Sequence, residues 1–195
     1  MHPLTYLYAL LTLPIIATAL PARPTQNTIT TAVKDATIIR SGTNCTDCPS
    51  GECDKCTLGL KDTLMTSATG EEESQILVGF EQPMPGPSVK SCSILFPGFG
   101  DLLPNEFKIT FALADSSDWD EATVNGDNAP SSAPPFKTVT MPPLTRSMDY
   151  VDITPACRSA GLDGRFSIYL TALSEHAEIW GKDSGNAAML KIVPL

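Results

Sequence analysis

The chain has 195 residues, 42% of them hydrophobic and 18% charged, and 22 acidic residues against 13 basic ones give a formal charge of −9. That length and apolar share suit one globular domain, and a mean hydropathy close to zero with dispersed charges excludes disorder for most of the chain. The basic residues, among them Lys34, Arg40, Lys61, Lys90, Arg146 and Arg158, stand singly, so the clustered positive charge that nucleic acid or an anionic membrane needs is missing.

In chain order, Leu4 to Leu20 is uncharged and largely apolar, and it contains the small-x-small pattern Ala17-Thr18-Ala19. This reads as a signal peptide over residues 1–19, because an anchor needs roughly 20 apolar residues and this run is interrupted by Pro14. The expected mature protein is soluble, secreted and extracellular, with no membrane contact after cleavage. The Pro- and Thr-rich residues 20–34 predict a mobile N-terminal segment, followed by a domain over 35–195. Cleavage also removes His2 and leaves His176 as the sole histidine, in a polar turn where an exposed loop residue is expected. With no G-x-S-x-G and no H-E-x-x-H, the expectation is that the protein is not an enzyme.

Ala36 to Arg40 is β-branched and reads as a strand ending at Ser41-Gly42. Cys45, Cys48, Cys53 and Cys56 follow as C-x-x-C-x-x-x-x-C-x-x-C, and Cys92 and Cys157 complete an even set. In a reducing compartment this would be a zinc-knuckle candidate. Behind a signal peptide the default is disulfides, and the two pairs lie closer than in zinc ribbons or fingers. A nested turn around Pro49-Ser50-Gly51-Glu52 would pair Cys45 with Cys56 and Cys48 with Cys53 at the required Cα separation of about 5.5–6 Å. Cys92 would then meet Cys157 across about 65 residues, stabilising the fold by roughly 3 to 4 kcal/mol on the chain-entropy model. Asn44-Cys45-Thr46 is the N-glycosylation sequon.

Further strands are predicted at Gln75–Phe80, Val89–Phe96, Phe107–Leu113, Phe136–Met141, Tyr150–Ile153, Phe166–Ala172, Glu178–Trp180 and Met189–Val193. One short helix is predicted, with Thr154 as N-cap, Pro155 at its first position and Gly161 ending it. Short strands at this spacing predict an all-β fold, an antiparallel jelly-roll-like β-sandwich with one helix and a disulfide-stapled loop.

Four segments then carry a resemblance: Asp35-Ala36-Thr37-Ile38-Ile39-Arg40-Ser41; Ile76-Leu77-Val78-Gly79-Phe80-Glu81; Asp118-Trp119-Asp120-Glu121-Ala122-Thr123-Val124 leading to Asn128-Ala129-Pro130; and a Gly-Arg-Phe-Ser-Ile run followed by Glu178-Ile179-Trp180-Gly181-Lys182-Asp183-Ser184. In this order they resemble the DNRLRE domain, or family 96 carbohydrate-binding modules. The resemblance implies a secreted jelly-roll sandwich that binds glycans without catalysis. Asn125-Gly126-Asp127 stands where that family commonly has a second Trp.

Sugar sites combine an aromatic face with polar groups. The aromatic candidates are Trp119, Trp180, Tyr150 and Tyr169, with a core plug the favoured reading of Trp119. The ligand-binding set taken from the sequence is Trp180, Lys182 and Tyr169, with only one of Ile179 and Trp180 facing inward. No cofactor is expected beyond a structural calcium ion, for which Asp115, Asp118, Asp120 and Asp127 supply oxygen. The expected function is non-catalytic binding of a polysaccharide or cell-wall glycan by a monomer. The alternatives are a small cysteine-rich interaction protein with a protein partner, and a polysaccharide lyase or hydrolase.

Overall fold

Period-two alternation puts Phe107, Ile109 and Phe111 on one face of their strand, and all three are buried in the core between two sheets. The computed structural model describes residues 26–42, 45, 48, 51–69 and 72–195, so the predicted signal peptide and Asn44 lie outside the described residues. The strands among the described residues are β1 (Thr28–Thr31), β2 (Lys34–Gly42), β3 (Thr63–Ala68), β4 (Glu72–Glu81), β5 (Val89–Leu95), β6 (Phe107–Leu113), β7 (Lys137–Met141), β8 (Val151–Asp152), β9 (Arg165–Ala172), β10 (His176–Trp180) and β11 (Met189–Pro194). Among the described residues one α-helix, α1 (Thr154–Ser159), and three short 3-10 turns, Cys53–Lys55, Gly86–Ser88 and Lys182–Ser184, accompany them.

The strands pair antiparallel in two sheets, giving the sandwich-like all-β fold expected. The smaller sheet has the order β1-β11-β5-β8, and the larger β10-β3-β4-β9-β6-β7. In the larger sheet β4 is edged by β2 on one side and by β3 and then β9 on the other. Between the sheets, Ile94, Leu190 and Ile192 of the small sheet meet Ile76, Phe80, Phe111 and Ile168 of the large one. The Phe80 and Phe166 rings stack at 5.4 Å, and Phe99 meets Phe107 edge-on at 6.3 Å.

The larger sheet is covered on its second face as well. Ala36, Ile38, Leu77, Ala112 and Tyr169 point away from the inter-sheet core and are buried with Val124 against the half-buried Trp119, both contributed by the connection between β6 and β7. A third, small cluster joins Ile39 and Leu58 to Cys48, Cys53 and Cys56.

Four expectations need correction. Residues 28–31 are not part of a mobile segment: Thr28–Thr31 pairs with β11 from Thr28↔Ile192 to Thr31↔Met189, and β2 begins at Lys34. β3 has no counterpart among the predicted strands, because its Thr66 and Ser67 are buried polar residues. Thr66 Oγ1 donates to Ser74 O and accepts from Ala172 N, partners that exist only in the folded sheet. Thr154 is the first helical residue rather than the cap, and the helix ends at Ser159 with Ala160, not Gly161, as its C-cap.

The fourth correction is the cysteine loop, which is interleaved rather than nested: Cys45 bonds Cys53 and Cys48 bonds Cys56, with Cα separations of 5.4 and 5.2 Å. Within each C-x-x-C the second cysteine bonds back to the first, with Cys48 N donating to Cys45 O and Cys56 N to Cys53 O. The two bonds set first cysteine against first and second against second. Cys92 bonds Cys157 as expected, tying α1 to β5.

Candidate functional site

The outward residues of the small sheet are those left over by burial of its alternate positions. On β11 the buried Leu190 and Ile192 leave Lys191 and Val193 facing out, and on β5 the buried Cys92 and Ile94 leave Ser91 and Ser93. The registers Ile29↔Lys191, Lys191↔Ser93 and Ser93↔Asp152 align one such row across all four strands. At its end Tyr150 is 48% exposed, with Lys191 Nζ 5.9 Å from its ring centroid. A shallow depression of about 310 Å³ lies between Ser91, Ser93, Asp152, Lys191 and Val193. Asp152 is also shared with a second depression lined by Tyr150, Lys137 and Thr140.

Thr154 fixes the state of Asp152. Its hydroxyl and backbone N–H both donate to Asp152 Oδ1, at 2.7 and 2.9 Å, and these bonds hold the carboxyl below the usual aspartate range. The face therefore carries an aromatic ring, a fixed acceptor, an ammonium and two hydroxyls. Tyr150 is among the aromatic candidates of the sequence, but no sequence pattern joins Ile29, Lys191, Ser93 and Asp152, which come from four separate strands. Only strand register does so.

The predicted ligand residues are not brought together on one surface. Tyr169 is wholly buried, which removes it as a stacking face. Its hydroxyl donates to Pro130 O at 2.6 Å and accepts from Arg40 Nη2 at 2.9 Å, and burial pushes its pKa up to about 12. Arg40 also donates to Gly126 O and Pro130 O, so Arg40 and Tyr169 clamp the Asn-Ala-Pro element onto the sheet. Trp180 is 39% exposed on β10 while its neighbour Ile179 is buried, in line with alternation. The Lys182 ammonium is committed to Asp183 Oδ1 at 2.9 Å and Glu121 Oε2 at 3.3 Å. His176 is exposed at the start of β10 rather than in a loop, and pairs with Glu178 at 3.5 Å.

Asp115, Asp118, Asp120 and Asp127 do not converge either. Asp120 Oδ1 accepts from Ala122 N and Thr123 Oγ1, capping a local turn, while Asp115 and Asp127 are held through their backbone N–H groups by Ser131 O and Asp54 O. Among the described residues the carboxylates that do converge are Asp35, Glu121 and Asp183, one oxygen from each lying within 4.8 Å of the others. Asp35 is 2% exposed; its Oδ2 accepts from Lys182 N at 2.7 Å and its own N–H donates to Glu121 Oε1 at 2.7 Å. Asp35 Oδ1 has no hydrogen-bond partner. Burial first, with Glu121 adding to it, pushes the Asp35 carboxyl up to about 6.

The Trp119 element is structural. The indole N–H donates to Ser167 Oγ at 2.9 Å, and Lys34 Nζ lies 4.3 Å from the ring centroid while donating to Ser117 O and Trp119 O. The ring rests over Gly79, where a Cβ would come within 2.7 Å of the Lys34 stem and 3.3 Å of the indole. Trp119→Phe keeps a ring but leaves Ser167 without its donor, and is expected to cost about 1–2 kcal/mol. Urea unfolding checks this, and an unchanged midpoint would show that the indole bond contributes nothing.

The fold and this surface define a disulfide-stapled, two-sheet antiparallel β protein whose most accessible aromatic, among the described residues, lies on the small-sheet face. No family model matches the chain. It is 46% identical over 175 residues to an uncharacterized secreted protein of the fungus Arthroderma benhamiae, the alignment covering 90% of this chain and 89% of that one. The chain belongs to the same family as that protein, and like it is secreted. Among the described residues no helix is long and apolar enough to cross a membrane.

Proposed function

We propose that this secreted protein is a non-catalytic module that binds a polysaccharide or cell-wall glycan on the outer face of its small sheet. The observation that carries the reading is the exposed Tyr150 ring at the end of the row formed by Ile29, Lys191, Ser93 and Asp152. A sugar ring offers a flat C–H surface to an aromatic plane and hydroxyls to carboxylate, ammonium and serine partners, and this face holds each type across two adjoining depressions that share Asp152. The resemblance to family 96 carbohydrate-binding modules supports the same reading. A net charge of −9 favours a neutral polymer over an acidic one.

The test is retention of the mature, disulfide-intact protein on neutral and acidic polysaccharides, by pull-down and affinity electrophoresis. The wild type is expected to be retarded by a neutral polymer, and Tyr150→Ala to weaken this about tenfold or more, equivalent to ~1.4 kcal/mol. Trp180→Ala is the comparison, since loss of retention in that variant alone would move the site to the edge strand β10. Absence of retention on every polymer would overturn the proposal in favour of a protein partner, whose binding should weaken steeply with salt.

A further inference from the structure

The three converging carboxylates come from separate parts of the chain: Asp35 from β2, Glu121 from the β6–β7 connection and Asp183 from the turn after β10. Acidic residues that meet in this way are ordinarily spread over solvent. Here one member is buried to 2% exposure, and its Oδ1 is shielded from water yet accepts from no donor. A buried, unpartnered carboxylate oxygen beside two further carboxylates is a costly arrangement unless a cation completes it. Lys182 supplies a single ammonium, which touches Glu121 and Asp183 while its backbone N–H takes the other Asp35 oxygen. Three carboxylates against that ammonium, with Lys34 coupled to Glu121 alone of the three, leave an anionic surplus.

We infer that Asp35, Glu121 and Asp183 form a binding site for a divalent cation of calcium's class, with Lys182 as the group the ion displaces. All the donors are hard oxygens, which suits Ca²⁺ or Mg²⁺ rather than zinc or copper. Ligands from three separately tethered segments suit the irregular, adjustable coordination of Ca²⁺ better than the near-ideal octahedron of Mg²⁺. The ion would join the start of β2, the Trp119 element and the turn after β10, and extracellular modules of this kind bind calcium at about 10⁻⁴–10⁻³ M. This site is built on the large sheet and does not depend on the glycan-binding proposal.

The experiment is calcium titration of the metal-stripped, disulfide-intact protein by calorimetry, with thermal unfolding in chelator and in calcium at neutral pH. Saturable binding is expected, together with a rise in Tm of about 3–6 °C at ten times Kd and a smaller response to magnesium. Asp183→Asn, at the exposed end of the cluster, and the isosteric Asp35→Asn should each abolish the Tm response. Lys182→Met should bind calcium about tenfold more tightly, because the competing ammonium is gone. Absence of binding by the wild type, or a calcium response undiminished from wild type in Asp183→Asn and Asp35→Asn, would overturn the assignment. A Lys182→Met protein that gains no calcium affinity would overturn Lys182's place in it.

Discussion

Replacing Cys92 and Cys157 together by alanine is expected to destabilise the protein by about 4 kcal/mol on the chain-entropy model, lowering Tm by roughly 8–16 °C. The bond closes a loop with a sequence separation of 65, the longest of the disulfides among the described residues, and both cysteines are buried, at 3% and 0% exposure. It is also the covalent tie between β5 and α1, whose Ala156 and Cys157 fill the end of the inter-sheet core. Each bond of the cysteine loop spans only 8 residues, and on the same model removing one should cost about 2.5 kcal/mol. Guanidinium unfolding of the three double variants measures the order. If removal of Cys45 and Cys53 costs more than removal of Cys92 and Cys157, the stabilisation resides in the packing of the small cysteine cluster rather than in loop closure.

In chelator, the protein is expected to be more stable at about pH 4 than at about pH 7, opposite to the usual effect of paired carboxylates. The cause is Asp35, whose carboxyl moves from 3.8 to about 6 on folding. Between those values the folded chain holds a proton that the unfolded chain has released, so protons favour the native state. The stability contributed by this group is complete below the unfolded value and is lost as pH rises through the folded one. The shift corresponds to about 3 kcal/mol at ~1.4 kcal/mol per unit. The charged groups facing Asp35 are Glu121, Asp183 and Lys182, and the depressed Asp152 and Asp163 carboxyls act in the opposite sense only at lower pH. Asp35→Asn should flatten the profile across this window. Urea midpoints at several pH values give the answer, and a wild type whose stability rises monotonically from pH 4 to about 7 would show that Asp35 ionises freely.

Much of the architecture is legible in the amino-acid sequence. Strong period-two patterns with bounding turn residues place β6 at Phe107–Leu113 and set the positions of β4, β5, β9 and β11 to within a few residues. The favoured reading of Trp119 as a packing residue agrees with its contacts. The segments that escape are those whose sequences resemble loops: β1, in a Thr-rich stretch, and β3, whose buried Thr66 is satisfied by side-chain bonds to Ser74 of β4 and Ala172 of β9.

The class of fold, most of the strands and the Cys92–Cys157 bond follow from sequence, because alternation, turn residues and an even cysteine count are local or arithmetical signals. Which surfaces remain is settled only by tertiary packing. Alternation puts Tyr169 opposite Ile168 but cannot say that the β6–β7 connection folds back over that face, and so it cannot tell a buried clamp from an exposed ring. The pairing inside the cysteine loop depends on how the two C-x-x-C segments meet in the folded chain. The row from Ile29 to Asp152 and the convergence of Asp35, Glu121 and Asp183 bring together residues from widely separated segments of the chain, and such proximity is set by strand register and loop packing, which no local pattern encodes.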